Sequence, residues 1–238
     1  MPDHDPAPER APALDIAGME GPLGQRVYVA LRDAILGMSL VPGTVLRKGA
    51  LCEQLGVSRS PVAEALGRLS SDGLVDIIPQ SATRVSRFSM TELREENFLR
   101  EAVETAAVAR VARIRSEAQL ARLSRNLRLQ QLLVEDGDFQ GFFEADLEFH
   151  ELMLGFTGFP KVALVVGQMS FQLRRARMLI LPEKDRPAET VEEHGAILRA
   201  IEARDEEAAR AAMTRHLRQL IHRIAPLERQ YPDYFRPG

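Results

Sequence analysis

The stretch Leu51-Cys52-Glu53-Gln54-Leu55-Gly56-Val57-Ser58-Arg59-Ser60-Pro61-Val62-Ala63-Glu64-Ala65-Leu66 decides the fold. Ala50 to Leu55 reads as a short helix that Gly56 stops. Val57 to Pro61 opens the next one. Ser58 or Ser60 is suited to the N-cap, and Pro61 sits well in a first turn, where its missing N–H would have no partner. Val62, Leu66 and Leu69 then share one face, and Gly73 ends the helix. Upstream, Val27, Leu31 and Ile35 give Gly24–Leu36 the same helical spacing, with Gly37 as its stop. Val41-Pro42-Gly43-Thr44 is a turn. Downstream, Leu74–Ile78 and Arg84–Phe88 read as two strands joined by a loop from Pro79 to Thr83. Three helices and a hairpin, with a tight glycine between the second and third helix, describe a winged helix-turn-helix.

From Thr91 the texture changes to alanine, leucine, arginine and glutamate with few glycines. Six helices are expected, over 91–114, 117–135, 138–156, 160–181, 187–203 and 205–225. Short breaks separate them, so neighbours should run antiparallel in a bundle. The fold class is therefore mainly α: a winged helix-turn-helix followed by an antiparallel six-helix bundle. The expected domains are a disordered arm over 1–20, a DNA-binding head over 21–88, a helical domain over 91–226 and a tail over 227–238. The tail, with Tyr231, Tyr234 and Phe235, reads as an aromatic clasp or a frayed end.

Composition excludes several classes. No run of 18 apolar residues exists among the 238, so no membrane span is expected. Residues 1–20 lack a basic start and an apolar core and do not form a signal peptide. Cys52 is the single cysteine, which excludes disulfide scaffolds and cysteine-rich zinc modules and fits a reducing, cytoplasmic setting. The net charge is −3, but residues 23–88 carry eight basic and five acidic side chains, a net of +3 that leaves −6 to the rest. A basic head on an acidic body has the sign expected of a DNA binder.

The head's candidate DNA contacts follow from docking geometry. A recognition helix points its N-terminal residues at base edges, which selects Ser58, Arg59 and Ser60. Arginine offers a bidentate fork to guanine, and serine hydroxyls suit phosphate. Arg47 and Lys48 precede the second helix, where backbone contacts belong, and Thr83 and Arg84 lie at the wing. Each of these also reads as an ordinary solvated side chain.

The second domain carries a metal-like pattern. Asp146 and His150, four residues apart on a helix, leave the same face. His194 and His216 sit on two other helices, so three imidazoles and one carboxylate can converge inside the bundle. Such a nitrogen-rich set suits Zn²⁺, Ni²⁺, Co²⁺, Fe²⁺ or Mn²⁺ rather than Ca²⁺. An Asp-x-x-x-His pair is also common as a surface ion pair. His4 falls in the arm, and His222, six residues past His216, points elsewhere.

The head pattern Leu40-x-Pro42-Gly43-x-x-Leu46, Leu51-x-x-x-Leu55-Gly56-Val57-Ser58-Arg59-Ser60-Pro61-Val62-x-Glu64-Ala65-Leu66 and Leu69-x-x-x-Gly73-Leu74-Val75 resembles the GntR family of transcription regulators. The resemblance implies that Arg59 and Ser60 contact DNA. The chain departs from the family at Ala63, where arginine is usual, and at Ser81 and Ala82, where an Arg-Gly pair is usual. Ala63 removes a donor, and Ala82 would restrict a backbone that glycine leaves free. Behind the head, Asp146-x-x-x-His150, Glu193-His194-x-x-Ile197-x-x-Ala200-Ile201 and His216-Leu217 resemble the FCD effector domain in its shorter, VanR-like form. That resemblance implies a divalent metal on Asp146, His150, His194 and His216, with zinc expected first. It also implies a small carboxylate effector, a homodimer on an inverted-repeat operator, and repression relieved by the effector. Arg100 matches a family arginine that faces the cavity, although it can equally pair with Glu104 one turn on. Gln168, Arg174 and Arg175 are further lining candidates. Two alternatives remain, a regulator responding to metal alone and a metalloenzyme using the same four residues, although no general base or nucleophile adjoins them.

Overall fold

The computed structural model describes residues 14–169, 171–180 and 186–237, with the backbone alone at 168 and 169. The chain divides into two compact units with the boundary after Arg87. The first 13 residues of the expected arm lie outside the described set. Its remainder is not detached, because Ile16 is buried and its carbonyl accepts from the Arg26 guanidinium.

The head consists of α1 (Leu23–Leu36), α2 (Lys48–Leu55), α3 (Arg59–Ser71), β1 (Val75–Ile77) and β2 (Thr83–Val85). α1 packs on α3, and Val27, Leu31 and Ile35 of α1 and Val62, Leu66 and Leu69 of α3 are fully buried. Each such side chain contributes roughly 1.5–3 kcal/mol of burial. Gly56 joins α2 to α3 with φ of 64°, the left-handed conformation that glycine adopts without Cβ strain. Ser58 occupies the cap position of α3, but its side chain makes no cap hydrogen bond. β1 and β2 pair antiparallel, Val75 opposite Val85, and Val45 bridges Arg84.

The second strand stops short of the expected Phe88, which belongs to the second unit. There the Phe88 N–H donates to Tyr234 O at 2.9 Å and its carbonyl accepts from Arg236 N–H at 2.8 Å. The Phe88 ring lies 5.3 Å from that of Phe235. Of the two expectations for the tail, the clasp is the one seen.

The bundle comprises α4 (Met90–Ile114), α5 (Glu117–Glu135), α6 (Phe139–Phe156), α7 (Pro160–Met169), α8 (Phe171–Ile180), α9 (Arg186–Glu202), α10 (Glu206–Ile224) and the short α11 (Leu227–Gln230). Ser89, Asp138 and Asp205 cap α4, α6 and α10 through their side chains, and Ser116 with Gln119 closes a capping box on α5. These caps place the breaks where the sequence reading expected them. The stretch 160–181, read as one helix, is described as α7 and α8, with Ser170 between them and 181–185 after them outside the described residues. Val108, Leu123, Phe149, Met153, Ile197 and Met213 belong to one buried cluster drawn from α4, α5, α6, α9 and α10.

Glu96 of α4 accepts from the Leu173 N–H at 3.2 Å near the start of α8. Burial pushes the Glu96 carboxyl up to about 7, a rise that the Leu173 hydrogen bond and Arg175 only partly offset. A carboxyl whose pKa is raised on folding stabilises fully below its unfolded value of 4.5, and that contribution is lost as pH rises through about 7. Glu96→Gln keeps an acceptor for Leu173. It should leave urea stability unchanged in acid and raise it in mild alkali.

Candidate metal centre and DNA-binding surface

Each candidate ligand sits next to the core on its own helix. His150 follows the buried Phe149 on α6, while His194 and His216 lie one turn before Ile197 on α9 and one turn after Met213 on α10. Core packing of those neighbours therefore turns the three imidazoles inward. Asp146 lies one turn before His150. All four residues are buried, and one ligand atom from each lies within 4.8 Å of the others.

The ring nitrogens are assigned by their outer partners. The Nδ1 atoms of His150, His194 and His216 face Glu104 Oε2 at 2.5 Å, Gln130 Oε1 at 2.8 Å and Glu193 Oε2 at 2.6 Å. All three partners are acceptors, so each Nδ1 carries the proton and each Nε2 presents a lone pair. The outer groups are themselves held. Gln130 Nε2 donates to Asn126 Oδ1 at 2.7 Å, and Arg186 grips Glu193 at 3.0 and 3.1 Å.

The three lone pairs meet one another. His216 Nε2 lies 3.2 Å from His150 Nε2 and 3.4 Å from His194 Nε2. Asp146 Oδ1 is 3.7 Å from His194 Nε2 and has no hydrogen-bond partner. Burial, reinforced by the neighbouring imidazoles and guanidiniums, holds His194 and His216 well below the usual imidazole range. Burial also lowers His150, against the pull of Glu104. Four electron-rich atoms thus converge with no proton to share. A buried unpartnered carboxylate oxygen facing three neutral imidazoles has the chemistry of a divalent transition-metal site. The residues present fit such an ion.

Two cavities flank this cluster. One lies beside Asp146 and His216 and includes Arg186 and Thr190. The other, about 250 Å³, adjoins His150 and Glu104 and is walled by aliphatic side chains. Arg100 and Arg177 line both. Arg100 also donates to Glu104 at 2.5 Å, so its two readings hold together. Arg177 donates to Asp146 Oδ2. Arg174 lines the larger cavity, whereas Arg175 lies under the Phe88 ring at 4.8 Å. The Gln168 side chain lies outside the described set.

Sequence reading missed the orienting roles of Glu104, Gln130 and Glu193, and it missed Arg177. Glu193 adjoins His194, and Glu104 was read only as a partner for Arg100. Gln130 lies 64 residues from His194 in the chain, and no spacing links them.

On the head, Arg47, Lys48, Ser58, Arg59, Ser60 and Arg84 are exposed and Thr83 is half-buried. Arg47 and Lys48 open α2, and Ser58, Arg59 and Ser60 open α3. Arg84 Nη1 reaches the Gly43 carbonyl at 3.3 Å. Ala63 is exposed one turn beyond Arg59, where its methyl leaves no donor. At the wing the left-handed residue is Gln80, with φ of 58°, and not Ala82. The backbone restriction expected of Ala82 therefore does not arise.

With this geometry in hand, comparison with known proteins is specific. Residues 23–85 match the bacterial regulatory proteins of the gntR family, and residues 97–219 match the FCD domain. The chain belongs to the GntR family. It is 30% identical over 214 residues to the HTH-type transcriptional repressor RspR of Escherichia coli (strain K12), covering 90% of this chain and 94% of that protein. It is also 30% identical over 196 residues to the HTH-type transcriptional regulator McbR of the same organism, covering 81% and 87%. The structure of E. coli McbR/YncC superposes with a TM-score of 0.73 at 28% identity, over 89% of this chain and 100% of that one. This GntR protein is a DNA-binding transcription regulator and not an enzyme. Among its described residues, no helix is long and apolar enough to cross a membrane.

Proposed function

We propose that this GntR regulator is a repressor whose hold on an inverted-repeat operator is released by a small organic acid bound beside a divalent metal in the bundle. The observation that carries this reading is the convergence of three imidazole Nε2 atoms on the unpartnered Oδ1 of buried Asp146. Asp146, His150, His194 and His216 would hold the metal, with zinc the first candidate for a three-nitrogen, one-oxygen set. Such a metal supplies a Lewis-acidic position open to a carboxylate oxygen. Arg100 and Arg177, lining both cavities, supply positive charge beside it.

Arg47, Lys48, Ser58, Arg59, Ser60, Thr83 and Arg84 form the DNA surface, with two copies of the chain reading half-sites ~34 Å apart. α8 carries two of the residues in question. Arg177 of that helix lines both cavities, while Arg175 underlies Phe88, the residue that follows the head. An acid shifts DNA occupancy only by its differential affinity for the two states, and a tenfold shift needs ~1.4 kcal/mol.

Fluorescence anisotropy on the regulator's own promoter DNA tests this. Metal-loaded protein should bind, and a suitable organic acid should weaken binding at least ~10-fold. If DNA affinity follows metal and no acid changes it further, the protein is a metal sensor instead. Arg59→Ala should cost ~1–3 kcal/mol of operator affinity, the worth of one bidentate base contact, while binding to unrelated DNA changes little. Unchanged operator affinity would move the recognition surface elsewhere.

A further inference from the structure

Two anchors grip the chain where the head ends, one in each unit. In the head, Ser86 is fully buried. Its N–H donates to Leu74 O at 3.0 Å and its hydroxyl to Gly73 O at 2.7 Å. In the bundle, Phe88 is fully buried and bridges Phe235 in parallel register. Its N–H and its carbonyl are both spent on the tail, at Tyr234 and Arg236, and its ring meets that of Phe235, which is 3% exposed. The tail is fastened in turn, because Arg236 Nη1 donates to Glu92 Oε1 of α4 at 3.0 Å. Exposed Arg87 is the single residue between the two anchors. We infer that the C-terminal segment 231–236 is a specificity element of DNA recognition: by gripping Phe88 it leaves each head one residue of tether and so restricts the spacing allowed between half-sites.

This role rests on the reading of two copies on an inverted repeat and adds what limits their reach. An extended residue spans at most ~3.3–3.6 Å. The rise per base pair of DNA is ~3.4 Å. One residue of tether is thus worth about one base pair of half-site spacing for each head. Ser89 has a holder of its own, since its hydroxyl caps α4 by accepting from the Glu92 N–H. Phe88 lies outside both β2 and α4, and the tail takes both of its backbone groups. The tail therefore fixes where the chain leaves the bundle, beyond covering an apolar ring. Releasing it doubles the tether, from Arg87 alone to Arg87 and Phe88. A pair of heads then gains ~7 Å of reach, about two base pairs. The longer tether also lowers the effective concentration of the second head at its half-site, so the native spacing loses part of its advantage.

Fluorescence anisotropy of the full-length protein on its operator, and on versions with one, two or three base pairs inserted at the centre, tests this. Wild type should lose at least ~10-fold in affinity for the two-base-pair insertion. Phe235→Ala opens the clasp and should cut that loss to about threefold or less. Its affinity for DNA carrying one half-site should stay unchanged, because that binding reports the head alone. A glycine inserted between Arg87 and Phe88 is the second variant. It lengthens the tether while the clasp and both cores stay intact, so it should fold even where Phe235→Ala does not. It should widen the tolerance for spacing in the same way. A folded Phe235→Ala protein that keeps the wild-type discrimination would overturn the role of the clasp. The proposal falls equally if the glycine insertion leaves the discrimination unchanged. A wild type indifferent to every insertion would instead remove the paired half-site reading itself.

Discussion

Replacing His194 with alanine should abolish the metal binding proposed for the bundle. His194 is fully buried, its Nδ1 is held by Gln130, and its Nε2 lies within 3.4 Å of His216 Nε2 and 3.7 Å of Asp146 Oδ1. Its ring stacks on Phe149 at 4.3 Å, so it is locked on both faces of its role, by packing and by hydrogen bonding. Loss of an outer partner of a metal ligand costs ~10–100-fold in affinity, and loss of a ligand should exceed that. Metal content after dialysis, read by mass spectrometry, should fall from about one ion per chain to near none. Thermal melts give an independent reading. An ion that binds only the folded state stabilises it by ~4 kcal/mol at a thousandfold excess over its Kd. That metal-linked gain should be present in the wild type and absent in His194→Ala. Gln130→Leu should show an intermediate loss, because it frees the His194 ring without removing it. A variant lacking His194 that still retained one ion per chain would refute the centre.

Glu104→Ala should produce the largest loss of stability, and it should do so without metal. Glu104 is 2% exposed, with one oxygen on Arg100 and the other on His150, both at 2.5 Å. Burial pushes its carboxyl up, but Arg100 and His150 together pull it further down, to well below the usual carboxylate range. It is therefore ionised at neutral pH. Truncation leaves the Arg100 guanidinium, 7% exposed, without its counter-charge, and breaking a buried pair in this way costs ~3–5 kcal/mol. Urea denaturation of metal-free protein should show a loss of that size. The sign of the pH dependence follows from the depressed pKa. The stabilisation is complete above the unfolded value of 4.5 and is lost as pH falls toward the folded value. The gap between wild type and Glu104→Ala should thus hold steady through neutral pH and narrow only in acid. A loss below about 1 kcal/mol would mean that water reaches Arg100 once Glu104 is gone.

The two variants separate what the metal does from what the outer shell does. The same division marks how far the sequence reaches. Helix order, the Gly56 turn, the wing and the caps at Ser89, Ser116, Asp138 and Asp205 are all local, set by residues within a few positions of one another, and local rules read them. The four residues of the candidate centre were legible for a related reason. Asp146 and His150 share a helix face by spacing alone, and the motif around His194 and His216 resembles one found behind many heads of this kind.

What the sequence by itself determined about this protein is therefore its architecture, its class as a regulator and which four polar side chains cluster inside the bundle. The tertiary structure decided how those donors are held. It chose Glu104, Gln130 and Glu193 to fix the imidazole tautomers, brought Arg177 onto Asp146, and placed Arg100 between an ion pair and two cavities. It also folded Phe88 out of the hairpin and under the tail. The physical reason is range. Gln130 meets His194 and Phe88 meets Phe235 only because helices distant in the chain bury a common core, and no local periodicity encodes which polar side chain that packing will leave facing which.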